Sequence, residues 1–324
     1  MLDGQDPSVA ILLATYNGSK FIEAQIRSLK DNTISFTLHW LDDHSTDDTR
    51  ERVRAIASSA SVNLREWHQS RHHGVPGAFF ELLECVDADI YLFCDQDDIW
   101  QPGKIDVTVE SLRSDLGTPT LCFSDPLMFY DDKPEIVERL SDALAIKAPA
   151  ALAATRALMS NPATGQSIGF TRPLRDLYMS HKEIAREHAT MHSWWMYLIA
   201  VSSGTVRMLR DVPTTLYRRH ANNASATYFE RHKKILERMT STWRLQYSWR
   251  RVIAKQASGF IRAAPTLAQG PRLDQLVSLA RLISSIDHRQ SIGALWRLAY
   301  RRAMWPHWRR AMWLAASCLY SDVK

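Results

Sequence analysis

The sequence predicts an α/β fold in which a mostly parallel sheet is flanked by helices and followed by a C-terminal α-helical extension. Three observations carry that prediction. Unbroken apolar runs recur between Val9 and Phe123, the pattern of strands buried on both faces rather than one. Segments of helical apolar period separate those runs, as βαβ units require. From Phe229 onward only helical periods occur.

The elements follow in order. Val9–Ala14 (VAILLA) reads as the first strand and Asn17-Gly18 as the turn after it. Phe21, Ile22, Ile26 and Leu29 recur at helical spacing. Phe36–Leu41 is the second strand, ending in Asp42-Asp43. Ser45 with Asp48 reads as a capping box for a helix whose apolar face is Val53 and Ile56. Val62–Trp67 is a third strand, and Phe79, Leu82, Leu83 and Val86 mark a third helix. Ile90–Cys94 is a fourth strand ending in Asp95-Gln96-Asp97-Asp98, and Leu121–Phe123 a fifth. Residues 130–160 read as a loop and an Ala-rich helix, and Trp194–Val201 as a short buried helix. Ala264-Pro265 and Gly270-Pro271 break the tail into at least two helices.

Of the 324 residues, 45% are hydrophobic and 23% charged, which excludes collagen-like, disulfide-scaffold and wholly disordered chains. The net charge of +5 is unevenly spread. Residues 229–324 hold 18 Lys/Arg against 5 Asp/Glu, and residues 1–228 hold 22 against 30. Six of the 11 Trp, at 243, 249, 296, 305, 308 and 313, also lie in the tail. Cys85, Cys94, Cys122 and Cys318 form no CxxC pair and read as reduced thiols of a cytosolic protein. Met1–Ser8 is too polar for a signal peptide. No apolar run reaches the roughly 18–20 residues of a membrane span. Walker A and GxGxxG turns are absent, which removes P-loop and dinucleotide-binding readings.

In parallel sheets ligands bind at the carboxyl ends of the strands. Those ends here carry Thr15-Tyr16-Asn17, Asp42-Asp43 and Asp95–Asp98. Three carboxylates in four residues repel one another unless a cation intervenes. A hard divalent ion, held by one or two carboxylates and substrate phosphates, would supply it; acids that begin a helix are the alternative. Asp43 can accept the ring N–H of a pyrimidine or serve as a helix-start acid.

Together AILLATYNGSKFIEAQIRSL, LDDHSTDDT and YLFCDQDDIWQPGKI resemble family 2 glycosyltransferases of the GT-A fold. FSDPLMFYDD, NPATGQSIGF, HSWW and YRRHANN extend the likeness to the bacterial rhamnosyltransferase-like branch, over about residues 8–226. The resemblance implies a nucleotide-sugar-binding half at 1–128 and an acceptor-binding half at 129–228; the basic Trp/Arg-rich helical extension at 229–324 lies beyond it. It implies an inverting transfer of rhamnose from dTDP-rhamnose to a cell-surface glycan or lipid-linked oligosaccharide, with Mg²⁺ or Mn²⁺ as cofactor. Ala14, Tyr16 and Asp43 would hold the base, Asp95 the ribose and diphosphate, and Asp95 and Asp97 the metal. Asp98 and Trp100 would shape the sugar side, and Arg218 and His220 would close over the diphosphate or the sugar. Ser124, Asp125, Trp194 and Trp195 would face the acceptor.

One departure bears on catalysis. The branch has H-D-W-W, whose Asp is the general base; here the string is His192-Ser193-Trp194-Trp195. A Ser hydroxyl takes no proton at neutral pH without its own base, though Ser193 suits a helix N-cap. His192 becomes the first candidate base, with an ordinary pKa near 6.5, and Glu187 or His188 the next. The remaining alternative is a catalytically impaired nucleotide-sugar-binding protein.

The tail mixes Arg with Trp, Tyr and Leu, as in TWRLQYSWRR and HWRRAMWLAA. Such helices lie in an anionic membrane interface. Packing on the acidic body is the close alternative, and nucleic acid is not expected as a partner. The combined expectation is a cytoplasmic enzyme, peripheral on the inner face of the cell membrane.

Overall fold

The computed structural model describes residues 6–143, 157–209, 212, 214–220, 223 and 251–284. In chain order these form β1 (Val9–Thr15), α1 (Ile22–Ser28), β2 (Thr37–Asp42), α2 (Thr49–Ser59), β3 (Leu64–Trp67), α3 (Gly74–Cys85), β4 (Ile90–Cys94), β5 (Ile99–Trp100) and α4 (Lys104–Leu112). There follow β6 (Thr120–Ser124), β7 (Leu127–Tyr130), β8 (Lys133–Arg139), α5 (Leu140–Ala143), β9 (Ile168–Thr171), α6 (Arg172–Met179) and α7 (Lys182–His188). The last are α8 (His192–Ser203), β10 (Thr205–Leu209), β11 (Thr215–Arg219) and α9 (Pro271–Ser284). Residues 251–263 are also helical.

Seven strands form the main sheet in the order β10-β6-β9-β4-β1-β2-β3, and four form a second sheet, β5-β11-β7-β8. In the main sheet only β9 runs antiparallel to its neighbours, β4 and β6. The α/β class with a mostly parallel sheet is as the sequence predicts, and the five expected strands are β1, β2, β3, β4 and β6. The second sheet, β9 and β10 were not anticipated. Because β9 lies between β4 and β6, residues on both sides of position 128 share one sheet.

The unbroken apolar runs are explained by a sheet buried on both faces. Along β1, Ala10 and Leu12 enter one core, while Val9, Ile11 and Leu13 enter the other. Along β4, Tyr91 and Phe93 go one way and Ile90, Leu92 and Cys94 the other. Burial of each large apolar side chain contributes roughly 1.5–3 kcal/mol. The first face is covered by α3 and α8, the second by α1, α2 and α4. Helix α8 is buried along nearly its whole length, as expected for Trp194–Val201.

Two expected caps differ. Helix α2 starts at Thr49 after Asp48, and Ser45 serves the turn before it. Its hydroxyl donates to Asp42 Oδ1 at 2.5 Å and accepts the Asn17 N–H at 2.9 Å. Ser193 lies inside the first turn of α8, where Met191 is the cap residue.

Part of the basic tail belongs to the body. Ile253, Ala257, Phe260, Leu273, Leu276 and Ile283 join the core under α3 and α8. All six tail Trp lie outside the described residues. Among the described residues no helix is long and apolar enough to cross a membrane.

Candidate active site

Strands β4, β1 and β2 are neighbours and run parallel, so their carboxyl ends bring the three polar clusters to one edge. Gln96 joins two of them. Its Oε1 accepts the Tyr16 N–H at 2.9 Å and its Nε2 donates to the Tyr16 carbonyl at 3.1 Å. Gly18 makes room for this pair: a Cβ there would lie 2.2 Å from Gln96 Oε1. Asn17 turns the chain with a positive φ of 47°, and its Oδ1 accepts the Thr46 N–H at 2.8 Å.

At the end of β2 the two acids do different work. Asp42 accepts from Thr15, Ser45 and Arg50. Burial works against its charge, but these hydrogen bonds hold its carboxyl below the usual range. Asp43 is buried and accepts the backbone N–H groups of His73 and Gly74, each at 2.8 Å, as well as the Gln69 side chain. It therefore anchors the loop from Gln69 to Gly74. Tyr16 is 47% exposed, with its ring 4.9 Å from that of His72. Ala14, beside it, is half-buried.

The acids after β4 meet strand β11. Asp98 is buried and accepts the Arg218 N–H at 2.9 Å. Arg218 Nε donates to the Asp97 carbonyl at 2.9 Å and Nη1 to Asp131 at 3.1 Å. The guanidinium lies 4.8 Å from the rings of both Phe21 and Phe129. His220 Nε2 lies 2.8 Å from Asp97 Oδ2, with Asn223 Nδ2 at 3.5 Å from the same oxygen. Burial and the Asp97 charge push Asp95 up to about 7. Burial, then Asp97 and Asp95, raise Asp98 well above its ordinary value. Burial is the larger cause and repulsion among the crowded carboxylates the second, and an added cation would relieve the latter.

That chemistry sets what a metal would find. Among the described residues no group of three His, Cys, Asp or Glu side chains is arranged to hold an ion unaided. Asp95 and Asp97 fit an ion that takes one or two carboxylates and completes its shell with phosphate oxygens and water.

Beside Asp95 lies the turn at Gly165. A Cβ on Gly165 would be 3.0 Å from His192 Nε2 and 3.6 Å from Asp95 Oδ2, so the glycine lets both approach. His192 is enclosed by Phe79, stacked at 4.0 Å, and Phe93, edge-on at 4.5 Å. Neither of its ring nitrogens has a hydrogen-bond partner among the described residues, and burial lowers its pKa to about 3. The ring is thus neutral at physiological pH and a far weaker base than a free imidazole. Ser193 is buried, and its Oγ accepts from Asn161 Nδ2 at 3.2 Å.

The other expected site residues are placed differently. Trp194 and Trp195 are buried, donating their indole N–H to the Ala157 carbonyl and His181 Nε2. Ser124 is buried, its Oγ 2.6 Å from Thr214 Oγ1. Asp125 accepts from the backbone and hydroxyl of Ser141. Glu187 is 61% exposed and paired with Arg262 at 2.9 Å. Trp100 is buried beneath the site with the Lys104 ammonium 3.6 Å over its ring. Gln96, Lys104, Asn161 and Asn223 were not singled out from the sequence. Each lies within a quoted motif, but nothing in its residue type distinguished it from its neighbours.

Residues 10–118 match the family described as Glycosyl transferase family 2. The dTDP-rhamnosyl transferase RfbG of Shigella flexneri is 25% identical over 239 residues, covering 69% of this chain and 78% of that protein. The mannosyltransferase PcManGT of Pyrobaculum calidifontis, solved with GDP-Man and Mn²⁺, superposes with a TM-score of 0.53 at 14% identity over 99% of this chain and 87% of that one. S. aureus TarS in complex with UDP gives a TM-score of 0.50 at 13% identity over 87% of this chain and 92% of that one. The fold is GT-A.

Proposed function

With a glycosyl transferase family 2 domain at residues 10–118, we propose that the protein is an inverting, metal-dependent glycosyltransferase. Its donor is dTDP-rhamnose and its acceptor a cell-surface glycan or lipid-linked oligosaccharide. The observation that carries this reading is the meeting of Asp95–Asp98 with Arg218 and His220, at the strand ends that also bear Tyr16 and Asp43. RfbG, similar over most of this chain, supports the choice of rhamnose.

The exposed Tyr16 ring offers a stacking face for a nucleobase. Asp43 accepts a base N–H once the loop from Gln69 to Gly74 releases one of its oxygens. Asp95 and Asp97 would hold Mg²⁺ or Mn²⁺, which when bound would neutralise charge on the departing diphosphate. His220 stands at Asp97 and adds a donor to the same side, while Arg218 fixes the backbone of the acidic turn. The acceptor hydroxyl attacks the anomeric carbon opposite the diphosphate, and its proton must be taken up.

Ser193 offers no carboxylate for that proton, and His192 is too weak a base to replace it fully. Two readings follow: slow transfer, with His192 hydrogen-bonding the reacting hydroxyl, or binding of the donor without efficient transfer. A general base is typically worth about 10²–10⁴-fold, so turnover is expected to be low rather than absent. The strongly basic residues of 229–324 further suggest attachment to an anionic inner membrane face.

The test is release of nucleoside diphosphate from a panel of dTDP-, UDP- and GDP-sugars with Mn²⁺ or Mg²⁺. dTDP-rhamnose is expected to be preferred, and Asp97→Ala to reduce release at least about 100-fold. If no donor is bound or turned over, and Asp97→Ala changes nothing, the reading fails.

A further inference from the structure

Phe21 stands where α1 begins, and a phenylalanine suits neither ordinary task there. It is the cap residue of α1 and supplies no side-chain cap, where Ser, Thr, Asp or Asn would be favoured. It is half-buried, and among the described residues it joins none of the hydrophobic core clusters. The buried face of α1 is Ile22, Gln25 and Ile26. The Phe21 ring is flanked instead by nitrogen-bearing side chains. The Lys20 ammonium lies 4.7 Å and the Arg218 guanidinium 4.8 Å from its centroid. The His220 ring is 4.6 Å away, tilted by 36°. Asp131 accepts from both Lys20, at 2.6 Å, and Arg218, at 3.1 Å, which ties the loop before α1 to β11 around the ring.

The two groups that reach the acidic turn differ in how far they depend on this ring. Arg218 is held without it, by Asp98, the Asp97 carbonyl, Asp131 and the Phe129 ring. His220 meets Asp97 Oδ2 through Nε2 at 2.8 Å and lays its face toward Phe21. A hydrogen bond at one nitrogen fixes that atom, but the plane of an imidazole is set by what lies against its face. Phe21 is itself fixed, because its N–H donates to the Gly18 carbonyl at 3.0 Å in the loop that also carries Tyr16. We propose that Phe21 is a positioning residue: its ring, packed against the imidazole, holds His220 at Asp97 on the side that receives the donor diphosphate. The proposal rests on the nucleotide-sugar reading of this site.

The test compares Phe21→Leu, Phe21→Tyr, His220→Ala and the double variant Phe21→Leu/His220→Ala in the full chain, by nucleoside diphosphate release from the preferred donor. Phe21→Leu is expected to lower kcat about tenfold with the donor KM changed less than about threefold, while Phe21→Tyr, which keeps the ring, stays within about twofold of wild type. The losses should not add: the double variant is expected to match His220→Ala within about twofold, because Phe21 acts through the imidazole. Losses that multiply would give Phe21 a role of its own, and wild-type activity in Phe21→Leu or in His220→Ala would leave it none; each overturns the proposal. Phe21→Leu is expected to melt within about 2 °C of wild type, and a fall of more than about 5 °C would make Phe21 a stabilising residue of the fold instead. A further readout needs no turnover. The His220 ring-proton NMR signals, assigned by their loss in His220→Ala, are expected to move downfield in Phe21→Leu and to stay near wild type in Phe21→Tyr. Signals unmoved in Phe21→Leu would overturn the proposal. Absence of nucleotide-sugar binding by the wild type would instead remove the functional reading on which the role rests.

Discussion

Ser193 shows how one residue separates a fold from its chemistry. It is buried in the first turn of α8 and takes a hydrogen bond from Asn161, so the helix is built without the carboxylate that the resembled branch has there. A carboxylate in this place would accept from the same amide, which makes Ser193→Asp structurally compatible. If transfer is limited by the missing base, Ser193→Asp raises kcat about 10²-fold or more, with a donor KM close to wild type. An unchanged kcat in a steady-state assay would place the base elsewhere. Gly18 gives a second prediction at this scale. A Cβ at that position collides with Gln96 Oε1, so Gly18→Ala must break the two hydrogen bonds between Gln96 and Tyr16. Donor binding, read by calorimetry, is expected to weaken about tenfold while the melting temperature changes little, since the affected loop lies at the rim of the sheet. The acids were legible in sequence because carboxylates at strand ends are chemically distinctive. Gln96 was not, because its role depends on what faces it across the fold.

The elements that sequence identified are those with a strong period or an unbroken apolar run. Strands β1 and β4 fill both cores and could be read directly. The strands of the second sheet could not: β5 has only two residues, and β8, although seven residues long, is the largely charged run KPEIVER with no unbroken apolar stretch. Strand β9 was hidden for another reason: Ile168–Thr171 includes Gly169, which reads as a breaker. Tertiary contacts also reset the charge of a side chain. His181, just before α7, accepts from Trp195 Nε1 on α8, and its Nδ1 lies 3.1 Å from Thr266 Oγ1. Burial lowers its pKa to about 4. The unfolded chain takes up a proton near pH 6.5 that the folded chain refuses until about pH 4, so stability contributed by this group is lost as pH falls across that window. Replacement by Gln, which keeps an acceptor for Trp195, removes the dependence. The stability gap between wild type and His181→Gln in urea should therefore shrink between pH 6.5 and 4, by at most about 1.4 kcal/mol per pH unit. A gap independent of pH would contradict the buried neutral state.

At the scale of the whole molecule, the contrast between an acidic body and a basic tail suggested two regions with separate tasks, and the part of the tail described in the structure does not divide that way. Charge and Trp content are surface properties and say little about which face of a helix is buried. Phe260 sits in the helical stretch 251–263, is completely buried, and shares one core with Phe79, Phe80 and Trp195. Gly259, its neighbour, has no side chain and comes close enough to α7 that a Cβ would lie 2.2 Å from that of His188. Contacts of this kind make residues 251–284 a layer of the same body as the main sheet. The consequence is a coupling that a separable anchor would not have. Phe260→Ala leaves a cavity under α8 and is expected to destabilise the entire protein by about 3–5 kcal/mol, seen as a shift of one cooperative denaturant transition. Were the tail an independent unit, the body would unfold at its original midpoint and only a separate, smaller transition would move. Because α8 also carries His192 and Ser193, the same variant should lose turnover at temperatures where the wild type remains active, although the substitution is far in sequence from Asp95–Asp98.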